Sequence, residues 1–91
     1  MTTPQTLHTC GTITFGLCGP DNQPLFQIRP GIPALAALEH AALLQDCMNH
    51  LLLEMADGEA HPLMRWSALH VGEMGKAILD DLLASGVASA P

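Results

Sequence analysis

The sequence predicts a mainly α fold: an antiparallel two-helix hairpin, preceded by one or two short β-strands and paired as a homodimeric four-helix bundle. Three observations carry this expectation. Two long segments, about 33–57 and 62–85, repeat apolar side chains at alternating spacings of four and three, which keeps them on one stripe of a helix. Only a few residues around Asp57–His61 separate the segments, so the helices should be antiparallel neighbours. And 91 residues make one small domain, in which a lone hairpin has too little surface to bury on itself.

In chain order, residues 1–11 are Thr-rich and read as a mobile tail. Residues 12–17, TITFGL, set Ile13, Phe15 and Leu17 on one side and Thr12, Thr14 and Gly16 on the other, a short strand pattern. Residues 18–24, CGPDNQP, carry the turn signals Gly19-Pro20 and Asp21-Asn22. Residues 25–29, LFQIR, alternate again. The two strands could pair as a hairpin, which is marginal alone and needs the helices or a partner chain to lie against.

The run PGIP at 30–33 breaks the pattern, because each proline biases its predecessor away from helix. Pro33 suits the first helical position; Ile32 offers no capping oxygen. In the first helix Ala37, Ala41, Leu44, Met48, Leu51 and Met55 form the stripe, widened by Leu38, Cys47 and Leu52. Glu39, Asp46, His50, Glu54 and Asp57 lie opposite. Gly58 suits a left-handed stop, and Pro62 opens the second helix. There Met64, Ala68, Val71, Gly75, Ile78 and Leu82 repeat the stripe, with Leu79 beside them, while Arg65, Glu73, Lys76 and Asp80 face away. Leu44, Met48, Leu51, Met55, Val71, Ile78 and Leu82 are therefore the expected core and dimer seam. Ala68, Gly72 and Gly75 point to close approach by another helix, since each glycine costs roughly 1 kcal/mol of helix stability relative to alanine. Gly86 ends the second helix, and residues 87–91 are read as a fraying tail. Asp80 and Asp81 stand near that C-terminus, where the helix dipole disfavours them, and an outside partner could account for them.

Composition narrows the function. Apolar residues make up 48% of the chain, which excludes a disordered segment. The net charge is −6, with Arg29, Arg65 and Lys76 the only basic residues. That excludes nucleic acid, whose phosphates need clustered Lys and Arg, and disfavours an anionic membrane surface. No run is long enough to span a membrane. Three cysteines, Cys10, Cys18 and Cys47, form no CxxC pair and suit a reducing cytoplasm better than a disulfide scaffold. The N-terminus has neither a positive charge nor an apolar block and does not read as a signal peptide.

The combination PLFQIRPGIP, then ALEHAALLQDCM, then LHVGEMGKAILDD resembles a domain of unknown function found in small bacterial proteins, frequent in pseudomonads. The similarity covers roughly residues 15–83. It implies a compact, cytoplasmic bacterial protein, and it carries over no activity, ligand or site residue.

No catalytic constellation stands out. His40, Cys47, His50 and Glu54, with His70 and Glu73, contain the i, i+3 and i, i+4 spacings of bundle metal sites. However, Glu54 and Glu73 fall on polar faces, so ordinary surface histidines are the favoured reading and no metal or cofactor is expected. Cys47 and His50 point about 60° apart on a helix, which leaves the thiol without an activating base. No phosphate-binding or nucleophile motif occurs, so the chain is not expected to be an enzyme.

Apolar residues off the stripes say more. Leu35 and Leu53 lie on the acidic side of the first helix, and Trp66, Leu69 and Leu83 on the charged side of the second. Trp66 and Leu69, bordered by Arg65 and Glu73, have the apolar centre and polar rim of a binding hot spot. The N-terminal strands could cover this patch, or the other protomer could, or it stays open for another protein. The function expected is a non-enzymatic adaptor or regulator; the rival is a small-ligand or metal-binding bundle.

Overall fold

The computed structural model describes residues 7–58 and 61–86. The remainder of the expected N-terminal tail, the C-terminal tail at 87–91 and the linker residues Glu59 and Ala60 lie outside the described residues. Strand β1 spans Thr14–Cys18 and β2 Gln23–Gln27; helix α1 spans Ala34–Ala56 and α2 Pro62–Ala84. The fold is mainly α, a helical hairpin preceded by an antiparallel strand pair.

The strands pair two residues away from where alternation alone set their ends, with Phe15 opposite Phe26 and Cys18 opposite Gln23. The turn is thereby shortened to Gly19–Asn22, closed by the Asn22 N–H donating to Gly19 O at 3.2 Å. Gly16 adopts φ 72°, and a Cβ there would lie 2.7 Å from the Phe26 ring. That left-handed residue breaks the period of two. Leu17 consequently turns to solvent, 67% exposed, instead of sharing a covered side with Ile13 and Phe15. The Phe15 and Phe26 rings stack at 5.3 Å.

Residues 7–11 are not a tail. Leu7–Ile13 runs as a strap across the open end of the helical hairpin. Pro33 stands at the N-cap of α1 rather than inside it, and no side chain caps the helix. The strap supplies the missing partner: the Ala34 N–H donates to Leu7 O at 2.8 Å. Thr9 is buried. Its N–H donates to Ile32 O, its carbonyl accepts from Gly31 N–H, and its hydroxyl donates to Arg29 O while accepting from Ile32 N–H. These bonds are made to the PGIP break and to Arg29 just before it. The prolines remove backbone donors there, and the strap satisfies what remains.

Asp81 fastens the other side of the strap. Its carboxylate is fully buried and accepts four consecutive backbone N–H groups: Cys10 at 2.8 Å, Gly11 at 3.2 Å, Thr12 at 2.9 Å and Ile13 at 3.1 Å. Successive amides converge on one anion only where the chain curls into a nest, and Gly11 at φ 76° makes that curl. Asp80 is bound by Lys76 Nζ at 2.7 and 2.8 Å. Neither acid therefore needs the outside partner that their place near a helix C-terminus suggested. The tight core sits beneath the strap: Ala34, Ala37 and Leu82, with Leu7, Ile32 and Ile78 packed against them.

Farther along, α1 and α2 face each other through the expected seam. Leu44, Met48, Leu51, Met55, Val71 and Ile78 are half-buried and Leu82 is buried. The close approach expected at Gly72 and Gly75 is made by α1 of the same chain. A Cβ on Gly72 would stand 3.0 Å from Met48 Sδ, and one on Gly75 3.8 Å from Leu44 Cβ. Helix α1 stops at Ala56 with Asp57 as its C-cap; Gly58 is not left-handed. Gly86 is, at φ 94°, closing α2.

Candidate interaction surface

The N-terminus of α2 places the apolar patch. His61 caps the helix, its Nδ1 accepting the Leu63 N–H at 3.0 Å, and Pro62 occupies the first turn. With the helix started there, Trp66 and Leu69 fall side by side. Trp66 is 59% exposed and Leu69 52%, so the N-terminal strands do not cover this patch. The Trp66 ring stacks on His70 at 5.8 Å, which fixes the indole without hiding it. Pro62, Arg65, Trp66 and Leu69 line a shallow hollow. Leu69 also lines a second hollow, with Glu73, Ala77 and the Ile13–Phe15 edge of the strand region. Glu73 is half-buried there and Arg65 is exposed, so the patch keeps one basic and one acidic residue at its border.

A third depression runs between the helices. Leu38, Ala41, Ala42, Gln45 and Met48 of α1 and Gly72, Gly75, Lys76 and Leu79 of α2 line it. Its floor is made of small residues, which leave room for a ridge of side chains from elsewhere. Met48, Gly72 and Lys76 are common to this groove and the strand-side hollow, so the apolar surface runs continuously from the turn end of α2 into the groove. Leu38, Leu52 and Leu79, which flank the core stripe in the sequence pattern, are 38%, 46% and 44% exposed; Leu38 and Leu79 line this groove, and Leu52 follows Leu38 and Gln45 along the same side of α1. Their seven-residue registers, 38–45–52 and 72–79, were the signal for it.

The histidines and acids do not assemble into a chemical site. His50 Nε2 lies 3.0 Å from Glu54 Oε1 on an exposed helix surface, and His70 is engaged with Trp66. Among the described residues, no three His, Cys, Asp or Glu side chains are grouped as metal ligands would be. Cys47 is exposed. Asp81 is the perturbed titratable group. Burial pushes its carboxyl up, but the amides of Ile13, Gly11, Cys10 and Thr12 together outweigh this and hold it below the ordinary 3.8. A buried carboxylate saturated by backbone donors has no lone pair directed at a substrate, so it is a fastener and not a base. What the surface can do is bury apolar area.

Among the described residues, no helix is long and apolar enough to cross a membrane. No match was found among curated proteins or among solved structures. The family match extends from Thr9 to Ser85, and so takes in the strap from Thr9 onward, its Asp81 fastener, both helices and the exposed patch. The chain belongs to the family described as "Protein of unknown function (DUF3077)", whose sequence model matches residues 9–85.

Proposed function

We propose that this chain is a non-enzymatic interaction protein, an adaptor or regulator. In this reading it works as a homodimer and takes another protein on the Trp66–Leu69 patch. One observation carries the reading. Among the described residues, the buried hydrophobic set is five alanines and Leu82, whereas thirteen large apolar residues are exposed. Single exposed leucines are ordinary. Here the ratio is inverted, and contiguous apolar surface of this kind marks interaction sites. Trp66 is the natural anchor, since tryptophan dominates hot spots and this one sits at the centre of its patch. The −6 charge supports a protein partner over nucleic acid or an anionic membrane. Three free, exposed cysteines support a reducing, cytoplasmic setting, in keeping with a bacterial host.

Trp66 is the sole tryptophan, so its fluorescence reports the patch directly. The tagged full chain should copurify from its native host with a partner that is lost with Trp66→Ala and kept with Leu43→Asp, an exposed change on the acidic side. Adding that purified partner should blue-shift and protect the Trp66 emission. A partner whose binding leaves the emission and quenching of Trp66 unchanged, or that survives Trp66→Ala, would remove the patch from the function.

A further inference from the structure

We propose that the groove between α1 and α2 is the seat of a second copy of this chain, so that the dimer seam is the face carrying Leu38, Gln45, Leu52, Gly72 and Leu79. The inference rests on the reading of the chain as self-associating, and it names the surface. The expected seam residues cannot serve, because the hairpin already uses them between its own helices. A different set must face the partner.

Three features of the molecule make that set the groove face and its occupant a copy of the chain. The first is thickness. The Cα positions span 51 × 33 × 17 Å, one layer of helices, whereas a domain core is enclosed between two layers. The strap finishes one side at the open end of the hairpin and nothing in the described residues finishes the other. The second is register. Leu38, Gln45 and Leu52 are seven apart on α1, and Gly72 and Leu79 are seven apart on α2. That is the repeat by which helices sustain a shared seam at a shallow crossing angle.

The third feature is charge, and it separates a copy from an outside partner. Two chains of −6 repel each other unless they meet where the acids are absent. The groove is lined by one charged residue, Lys76, whose ammonium is bound by Asp80 at 2.7 Å. The acids of α1 lie away from it: Glu39, Asp46 and Asp57 follow the opposite side of that helix. A basic outside partner would find nothing to pair with here; a copy finds no repulsion. A two-fold arrangement presents the same patch from both sides, with the Leu38–Leu52 ridge of one protomer over the Gly72–Gly75 floor of the other.

Light scattering on the full chain at micromolar concentration, with circular dichroism on the same samples, tests this. The wild type should scatter at twice the 9.6 kDa chain mass. Leu79→Asp should scatter at the single mass with its helical signal retained. Gln45→Glu should weaken association at least about tenfold, since it sets a charge with no partner against the Gly72–Gly75 floor of the other protomer. Among the described residues the Gln45 side chain bonds to the Asn49 side chain on the exposed helix surface, so its replacement does not threaten the fold and decides the matter if Leu79→Asp unfolds. Leu43→Asp, also exposed but on the acidic side, should remain dimeric. A wild type of single mass overturns both the seam and self-association. A dimer indifferent to Gln45→Glu and Leu79→Asp overturns the groove seam alone, and the Trp66 fluorescence experiment judges the adaptor reading separately.

Discussion

The two faces of the helix pair differ in how they are finished. On the strapped face, backbone from a distant part of the chain closes every gap: Leu7 O caps α1, Thr9 satisfies the proline break, and four amides hold Asp81. Leu82 beneath them is 2% exposed. On the groove face, side chains of similar kind are left 38–46% exposed at Leu38, Leu52 and Leu79. The contrast teaches that apolar content does not set burial in this chain. Polar backbone does: where a segment can discharge its hydrogen bonds, it lies down and seals the core; where none of the described residues supplies such a segment, the apolar surface is left exposed.

The largest expected effect breaks the strapped face. Asp81→Asn keeps the shape but offers one accepting oxygen and turns an NH2 toward backbone donors. Leaving buried amides unsatisfied should cost about 3–5 kcal/mol, read as a shift in the urea midpoint. The same carboxylate sets a pH dependence. Its folded pKa lies below 3.8, so its contribution is complete above 3.8 and is lost as pH falls through the folded value. The wild type should therefore lose stability across that acid window. Asp81→Asn should lack that component, and an unchanged acid profile in the variant would show that the nest does not hold the strap.

A smaller effect sharpens the comparison with two apolar truncations. Leu82→Ala empties the sealed core and should cost about 3 kcal/mol. Trp66→Ala removes a larger but 59% exposed side chain and should cost less than about 1 kcal/mol, because among the described residues its ring contact is the His70 stack. Thermal melts of the two variants in parallel check this. A Trp66→Ala loss equal to that of Leu82→Ala would mean that the patch is part of a stability-bearing interface.

The sequence made the helices legible because a four-and-three spacing over 23 residues has few other uses. It made the pairing of two short strands legible through their alternation on either side of a turn-rich loop. The strap was not legible. A Thr-rich segment with one glycine has no period, and its bonds run to residues about 20 and 70 positions away. The local clue was the misfit of Asp81 against the helix dipole, which signalled a partner without saying that the partner was the chain's own N-terminus. Gly16 hid the face of Leu17, since one left-handed residue inverts everything after it in a strand. The groove was half legible: its leucines were visible beside the stripe, but spacing alone does not say which side of a stripe the neighbouring helix covers.

The smallest expected effect should have opposite signs on the isolated protomer and on the proposed dimer, which makes it the finest probe of the groove face. Gly72 lies on the floor of the groove, in the interior of α2. Replacing it with alanine gains helix propensity of up to about 1 kcal/mol. The new methyl would meet Met48 Sδ at 3.0 Å, too close for a rigid neighbour. Met48 is an unbranched, half-buried side chain lining the open groove, so it can move aside at little cost. In an isolated protomer, obtained in the Gln45→Glu background, Gly72→Ala should thus raise the melting temperature slightly. In the dimer the methyl and the displaced thioether occupy the space a partner ridge needs, and overpacking a fitted seam is destabilising. Gly72→Ala alone should therefore lower the dilution stability of the dimer while stabilising the protomer. If both quantities rise together, the floor of the groove is not in contact with a second copy.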